Sequence, residues 1–184
     1  MKKVFMVAIA TILIKTSFSQ INQGQWLVGG NAGFASSKNG EFKTTQISFA
    51  PNAGYFFINN FAGGLRVEVE SEKEKFGSLD ATSTASMISP FVRYYFLPAS
   101  QKVNVFADAS YGFGSMKGEE GPSTSINGFN IMAGPAVFLS PNTALEVTLG
   151  YNSTKIEGAE DRTNTFGFGV GFQIHLGRSR SAAK

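Results

Sequence analysis

The chain has 184 residues, 42% of them hydrophobic, with 18 phenylalanines, 21 glycines and no cysteine. The missing cysteines exclude disulfides and a thiol-linked lipid anchor. The 16 basic and 13 acidic residues give a formal charge of +3, and that small excess gathers at the two ends of the chain.

The first twenty residues read MKKVFMVAIATILIKTSFSQ. Lys2 and Lys3 precede an apolar run from Val4 to Ile14, and Ser17-Phe18-Ser19 places small residues where a signal peptidase reads them. This predicts a secretory signal peptide over residues 1–19, with cleavage before Gln20. The apolar run falls short of the ~20 residues that span hydrocarbon, and Lys15 interrupts it. Losing Lys2, Lys3 and Lys15 leaves 13 of the 16 basic residues against 13 acidic ones. Arg178, Arg180 and Lys184 then crowd a short basic tail over residues 177–184. A near-neutral mature chain without a basic stripe argues against nucleic acid as a partner.

From Gln20 onward the apolar residues recur with period two. Eight segments follow in order: 25–36, 44–57, 61–71, 84–96, 103–115, 126–139, 144–153 and 165–176. In the third, Phe61, Gly63, Leu65, Val67 and Val69 alternate with Arg66, Glu68 and Glu70. In the last, Phe166, Phe168, Val170 and Phe172 alternate with Gly167, Gly169 and Gly171. The connections at 58–60, 97–102 and 140–143 are tight and rich in Asn, Pro and Ser. Those at 37–43, 72–83, 116–125 and 154–164 are longer and polar. Alternating short and long connections predict an all-β, up-and-down antiparallel meander of eight strands over residues 20–176.

Alternation alone does not say which face is inside. A soluble lipocalin-like barrel keeps its apolar face around a ligand. A water-facing surface is dense in Lys and Glu, whereas the second parity here is mostly Gly, Ser, Asn, Thr and Gln. Large residues on one parity and small ones on the other predict a transmembrane β-barrel with lipid outside and a crowded lumen. Aromatic residues of the apolar parity cluster near the short turns (Trp26, Tyr55, Phe57, Phe61, Tyr94, Phe96 and Phe172). A second group lies towards the long connections (Phe34, Tyr111, Phe113, Phe129, Tyr151 and Phe166). Two interfacial girdles are expected. Pro51, Pro90 and Pro135 lie inside the second, fourth and sixth strands, and their missing N–H groups predict a local bulge in each.

The stretch SFAPNAGYFFINNFAGGLRVEVE (48–70) recurs loosely at 88–112 and 129–152, and a final strand begins at Thr165. On these residues the mature chain resembles the small outer-membrane β-barrel family of Gram-negative bacteria, the OmpA/OmpX-like eight-stranded type. The resemblance implies residence in the cell outer membrane among its lipids, insertion by the assembly machinery, and periplasmic short turns. It also implies surface loops, here 37–43, 72–83, 116–125 and 154–164, available to a ligand. The family fixes no activity. The chain departs from it by ending its last strand on Leu176 and continuing as GRSRSAAK.

Charges on the small-residue parity are few. Arg66, Glu68, Arg93, Asp108 and Glu146 fall at similar heights counted from the short turns and are expected to pair inside the lumen, since an unpaired buried charge costs several kcal/mol. Glu70 shares their parity. His175, the only histidine, sits near the short-turn end, away from any loop carboxylate that could complete a catalytic pair. No enzyme, cofactor or metal site is expected, because paired His and Cys ligands are missing. GFGVG (167–171) continues as a strand and so lacks the strand-to-helix turn of a nucleotide loop. A structural or surface-interaction protein with a plugged lumen is expected; a small-solute pore and a periplasmic lipocalin-like binder are the alternatives.

Overall fold

In a computed structural model that describes residues 21–77, 79–119 and 121–177, the chain forms eight antiparallel strands closed into one barrel. The strands are β1 (Trp26–Asn39), β2 (Phe42–Ile58), β3 (Phe61–Phe76), β4 (Leu79–Tyr95), β5 (Val103–Gly118), β6 (Thr124–Ser140), β7 (Thr143–Ile156) and β8 (Arg162–Leu176). Each pairs with its sequence neighbours, and β1 pairs with β8 to close the sheet. The signal-peptide reading of residues 1–19 and the basic tail beyond Gly177 lie outside the described residues.

Apolar side chains of the expected parity point outwards. Phe49, Leu65, Ile88, Leu149 and Phe168 are all more than half exposed. Such a continuous apolar surface is incompatible with water on that side and suits lipid. Both girdles form. Near the short turns Trp26 meets Tyr55 edge-on at 5.3 Å, and Tyr94 meets Phe96 at 5.1 Å. Towards the other end, Tyr111 meets Phe113 on β5, and Phe129–Tyr151 and Tyr151–Phe166 make a chain of ring contacts across β6 to β8.

Two expectations are corrected. The connections read as long loops are mostly strand. β1 and β2 meet through Gly40-Glu41, and β3 and β4 pair as far as Phe76 and Leu79. Beyond the lipid both faces of a strand meet water, so alternation vanishes from the sequence while the hydrogen-bond ladder continues. The hairpins therefore stand tall above the membrane band. Gly40 and Gly77 take positive φ in these tight turns, where a side chain would be strained.

No bulge occurs at the prolines. Pro51, Pro90 and Pro135 keep register partners on the preceding strand: Gly30, Leu65 and Val105. Towards the following strand the ladder lapses and resumes in the same register, as from Phe49↔Val69 to Asn52↔Arg66. The same happens from Ile88↔Phe113 to Phe91↔Ser110, and from Ala133↔Leu149 to Ala136↔Glu146. A missing donor on one side leaves a gap without adding a residue. The register shifts occur elsewhere, between Phe56 and Ile58 and between Phe138 and Ser140, beside short turns.

Candidate functional site: the barrel lumen

The lumen contains a buried ionic belt that draws residues from six strands. β3 supplies Arg66, whose Nη2 donates to both Asp108 oxygens at 3.0 and 2.9 Å, while Nη1 donates to Ser110 at 3.3 Å. Arg93 on β4 bridges two carboxylates. Its Nε donates to Asp108 Oδ2 at 3.0 Å, and its Nη1 donates to Glu146 at 2.8 and 3.0 Å. Tyr95 donates its hydroxyl to Glu146 Oε1 at 3.2 Å. Gln173 and Asn52 exchange amide hydrogen bonds at 3.1 and 3.2 Å, with Gln173 reaching Glu146 at 3.5 Å.

Register explains this meeting. Arg93 is the direct partner of Asp108, and Arg66 is the partner of Asn52 on its other side. Glu146 lies between Gly171 and Ala136, small residues that leave room for the guanidinium. A Cβ at Gly171 would come 3.2 Å from Glu146 Oε2 and would collide with Asn31 Oδ1. The two cations and two carboxylates balance, all four at most 2% exposed. Such a network needs its geometry, because the desolvation of each ion is repaid only by close pairing. Aromatic faces add to it: Arg66 lies 4.9 Å over Phe91 and Arg93 lies 4.4 Å over Phe106.

Of the five residues singled out by height and parity, the structure brings four together and leaves Glu68 apart. Glu68 stands above Arg66 on β3, with one carboxylate oxygen buried and no hydrogen-bond donor reaching it. Residue counting placed it beside the cluster, but the arginine hydrogen bonds go to Asp108, Glu146, Ser110 and Tyr95, and the remaining guanidinium nitrogens, Arg66 Nε and Arg93 Nη2, do not reach it.

Below the belt, towards the short turns, the lumen is filled by an apolar layer that the parity rule did not anticipate. Leu27, Phe56, Tyr95, Phe106, Phe138 and His175 point inward and are buried. The His175 ring lies 5.4 to 6.1 Å from the rings of Phe56, Phe138 and Tyr95, with no partner for either nitrogen. Residues 21–25 fold across this end as a cap. Ile21 is fully buried; its carbonyl accepts from Asn60 N–H at 2.9 Å, and Gly24 N–H donates to Phe56 O at 3.0 Å. The signal for this layer was present in Tyr55-Phe56-Phe57, Tyr94-Tyr95-Phe96 and Val137-Phe138-Leu139. Consecutive apolar residues mark a strand buried on both faces.

Above the belt the lumen opens into a cavity of about 1070 Å³ towards the tall hairpins. The small residues of β8 record the widening. A Cβ added at Gly169 would meet Thr148 Oγ1 at 2.7 Å, and one at Gly167 would meet nothing within 4 Å. A crowded lumen was expected throughout; along β8 the crowding is confined to Gly171 and Gly169.

The family model that describes the outer membrane protein beta-barrel domain matches residues 5–173. The chain belongs to that family. Among solved structures this outer-membrane barrel is similar to Neisserial surface protein A, with a TM-score of 0.61 at 17% identity. That match covers 84% of this chain and all of the other. The barrel is similar also to outer membrane protein OprG from Pseudomonas aeruginosa, with a TM-score of 0.59 at 13% identity. Here 88% of this chain and the whole of the other are covered. No curated protein matches it by sequence. At these identities the likeness shows the fold, and together with the family it places the chain in the outer membrane. The lipocalin-like alternative has no support.

Proposed function

We propose that this outer-membrane barrel has a structural or surface-interaction role, with its lumen plugged and its hairpins available to partners outside the cell. The observation carrying this reading is the stack of two filled layers, the Arg66–Asp108–Arg93–Glu146 belt over the Phe56–Phe106–Phe138 layer. Eight strands enclose barely enough space for side chains, and here the lower half of that space is occupied. Short turns face the periplasm in this reading, and the paired hairpins at 37–43, 72–83, 116–125 and 154–164 carry any ligand contact. Catalysis has no support in the lumen: the carboxylates of the belt are saturated by arginine, and His175 is enclosed by aromatic rings. The test is conductance of the purified protein in planar bilayers. A silent barrel is expected, and stable single-channel steps would favour the small-solute pore instead.

A further inference from the structure

The upper cavity is lined on one side by a row of acids from a single strand. Glu68, Glu70, Glu72 and Glu74 occupy consecutive lumen-facing positions of β3, and all four border the cavity. The rows beside them carry no compensating charge. On β2 their register partners include Ser48, Gln46 and Thr44; on β4 they are Met87, Ala85, Ser83 and Ala81. Arg66 ends the row below; its Nη2 is held by both oxygens of Asp108, and its buried Nε is left without a hydrogen-bond partner. Lys73 and Lys75 lie on the opposite parity and are engaged with Asp80 at 2.9 and 3.1 Å.

Three buried acceptors in this part of the lumen also have no donor: Glu68 Oε1, Asn31 Oδ1 and Asn130 Oδ1. Their residues all line the cavity. Buried oxygens without donors are uncommon in folded proteins, and acceptors grouped at the base of a cavity suit a ligand rich in N–H groups. Above them, burial raises the Glu72 carboxyl from its usual range, and the neighbouring charges of Glu74 and Glu70 raise it further. A bound cation would relieve this crowding of like charges.

The spacing distinguishes between cations. Alternate residues of a strand stand about 6.6–6.8 Å apart, so the glutamates are strung along a line. A single Mg²⁺ or Ca²⁺ needs several oxygens within about 2.0–2.6 Å, and no three acidic, His or Cys side chains converge in that way among the described residues. An extended ligand with cationic groups separated by methylene segments matches the row. We propose that the upper cavity binds a linear organic polyamine. Its ammonium groups engage Glu68, Glu70, Glu72 and Glu74, and its methylenes lie against Ala81, Ala85 and Met87 of β4. The cavity volume lies at the upper limit of small-molecule sites, which run from about 300 to about 1,000 Å³.

This inference deepens the surface-interaction reading and rests on it only for the side of the membrane from which the ligand arrives. The test is isothermal titration of the full folded barrel in zwitterionic micelles with spermine, at about 0.15 M salt where exposed charges are screened. Binding in micelles is read without regard to orientation or conductance, so a result against the plugged lumen leaves it standing. Saturable binding is expected. The double variant Glu70→Gln/Glu72→Gln should weaken it about ten-fold or more, as losing partly buried charge partners does. Glu157→Gln/Glu160→Gln, with the same change in charge at another hairpin, should bind as the parent does. Heat-modifiable gel mobility verifies that each variant is folded. Absence of saturable binding, equal affinity of the two double variants, or displacement of spermine by equimolar Mg²⁺ would overturn the proposal.

Discussion

The two halves of the lumen follow one alternation rule and reach opposite states. Near the short turns Arg93, Tyr95, Phe106, Glu146 and His175 are packed to at most 1% exposure, and residues 21–25 cover the end. Near the hairpins the same parity carries Glu70, Glu72, Gly167 and Thr165 around open space. The difference lies in side-chain volume and in pairing. Large inward residues below find ions or rings to pack against, while many of those above are small, or charged without a counter-ion. A small barrel therefore need not be uniformly filled. One half can supply rigidity while the other keeps a recess.

The comparison breaks most severely at Arg93. Arg93→Met would leave Glu146 without its arginine and Asp108 with one fewer donor, and a cost of about 3–5 kcal/mol is expected. Unfolding in urea, followed by gel mobility, measures it. Glu70→Gln in the upper half should leave that midpoint unchanged. Next in size is Gly171→Leu, which forces a side chain against Asn31 and Glu146 and should cost about 1–3 kcal/mol by overpacking. Gly167→Leu, facing open space, should fold as the parent does; equal damage at both positions would contradict the gradient along β8. The effect at His175 is smaller and opposite in sign. His175→Phe removes two unpartnered ring nitrogens from an aromatic layer and should raise stability, by about 1 kcal/mol or more.

The smallest effect is expected at Asp80. Hydrogen bonds from Lys73 and then Lys75 hold its carboxyl below the usual range. Any stability this contributes is present above the unfolded carboxyl's ordinary range and is lost as pH falls through the lowered value. The group lies at the solvent-exposed tip of a hairpin, so Asp80→Asn should leave the urea midpoint unmoved at pH 7.

Strand number, order and outward face were legible in the sequence because lipid imposes one strict requirement on alternate residues. That requirement ends at the membrane boundary, so the upper strands of the hairpins, such as Glu72–Phe76 paired with Leu79–Ser83, read as loops. The inner apolar layer was hidden differently. Phe56, Phe106 and Phe138 occupy the parity assigned to small polar residues, and their height is defined only once the barrel closes. Arg66, Arg93, Asp108 and Glu146 could be grouped by counting from the turns. Counting could not show that Asp108 takes both arginines and leaves Glu68 to the cavity. The prolines misled for a local reason: a missing donor permits a bulge but does not require one.

Because the chain contains no cysteine, single cysteines report directly on the two halves. Glu70→Cys and Ala144→Cys both face the lumen, one beside the upper cavity and one within the filled layer. Folded protein is treated with a charged, membrane-impermeant thiol reagent, and labelling is followed by mass shift. Rapid labelling at position 70 and protection at position 144 until the barrel unfolds is the predicted result. Equal labelling of both in the folded state would contradict the division into a sealed half and an open one.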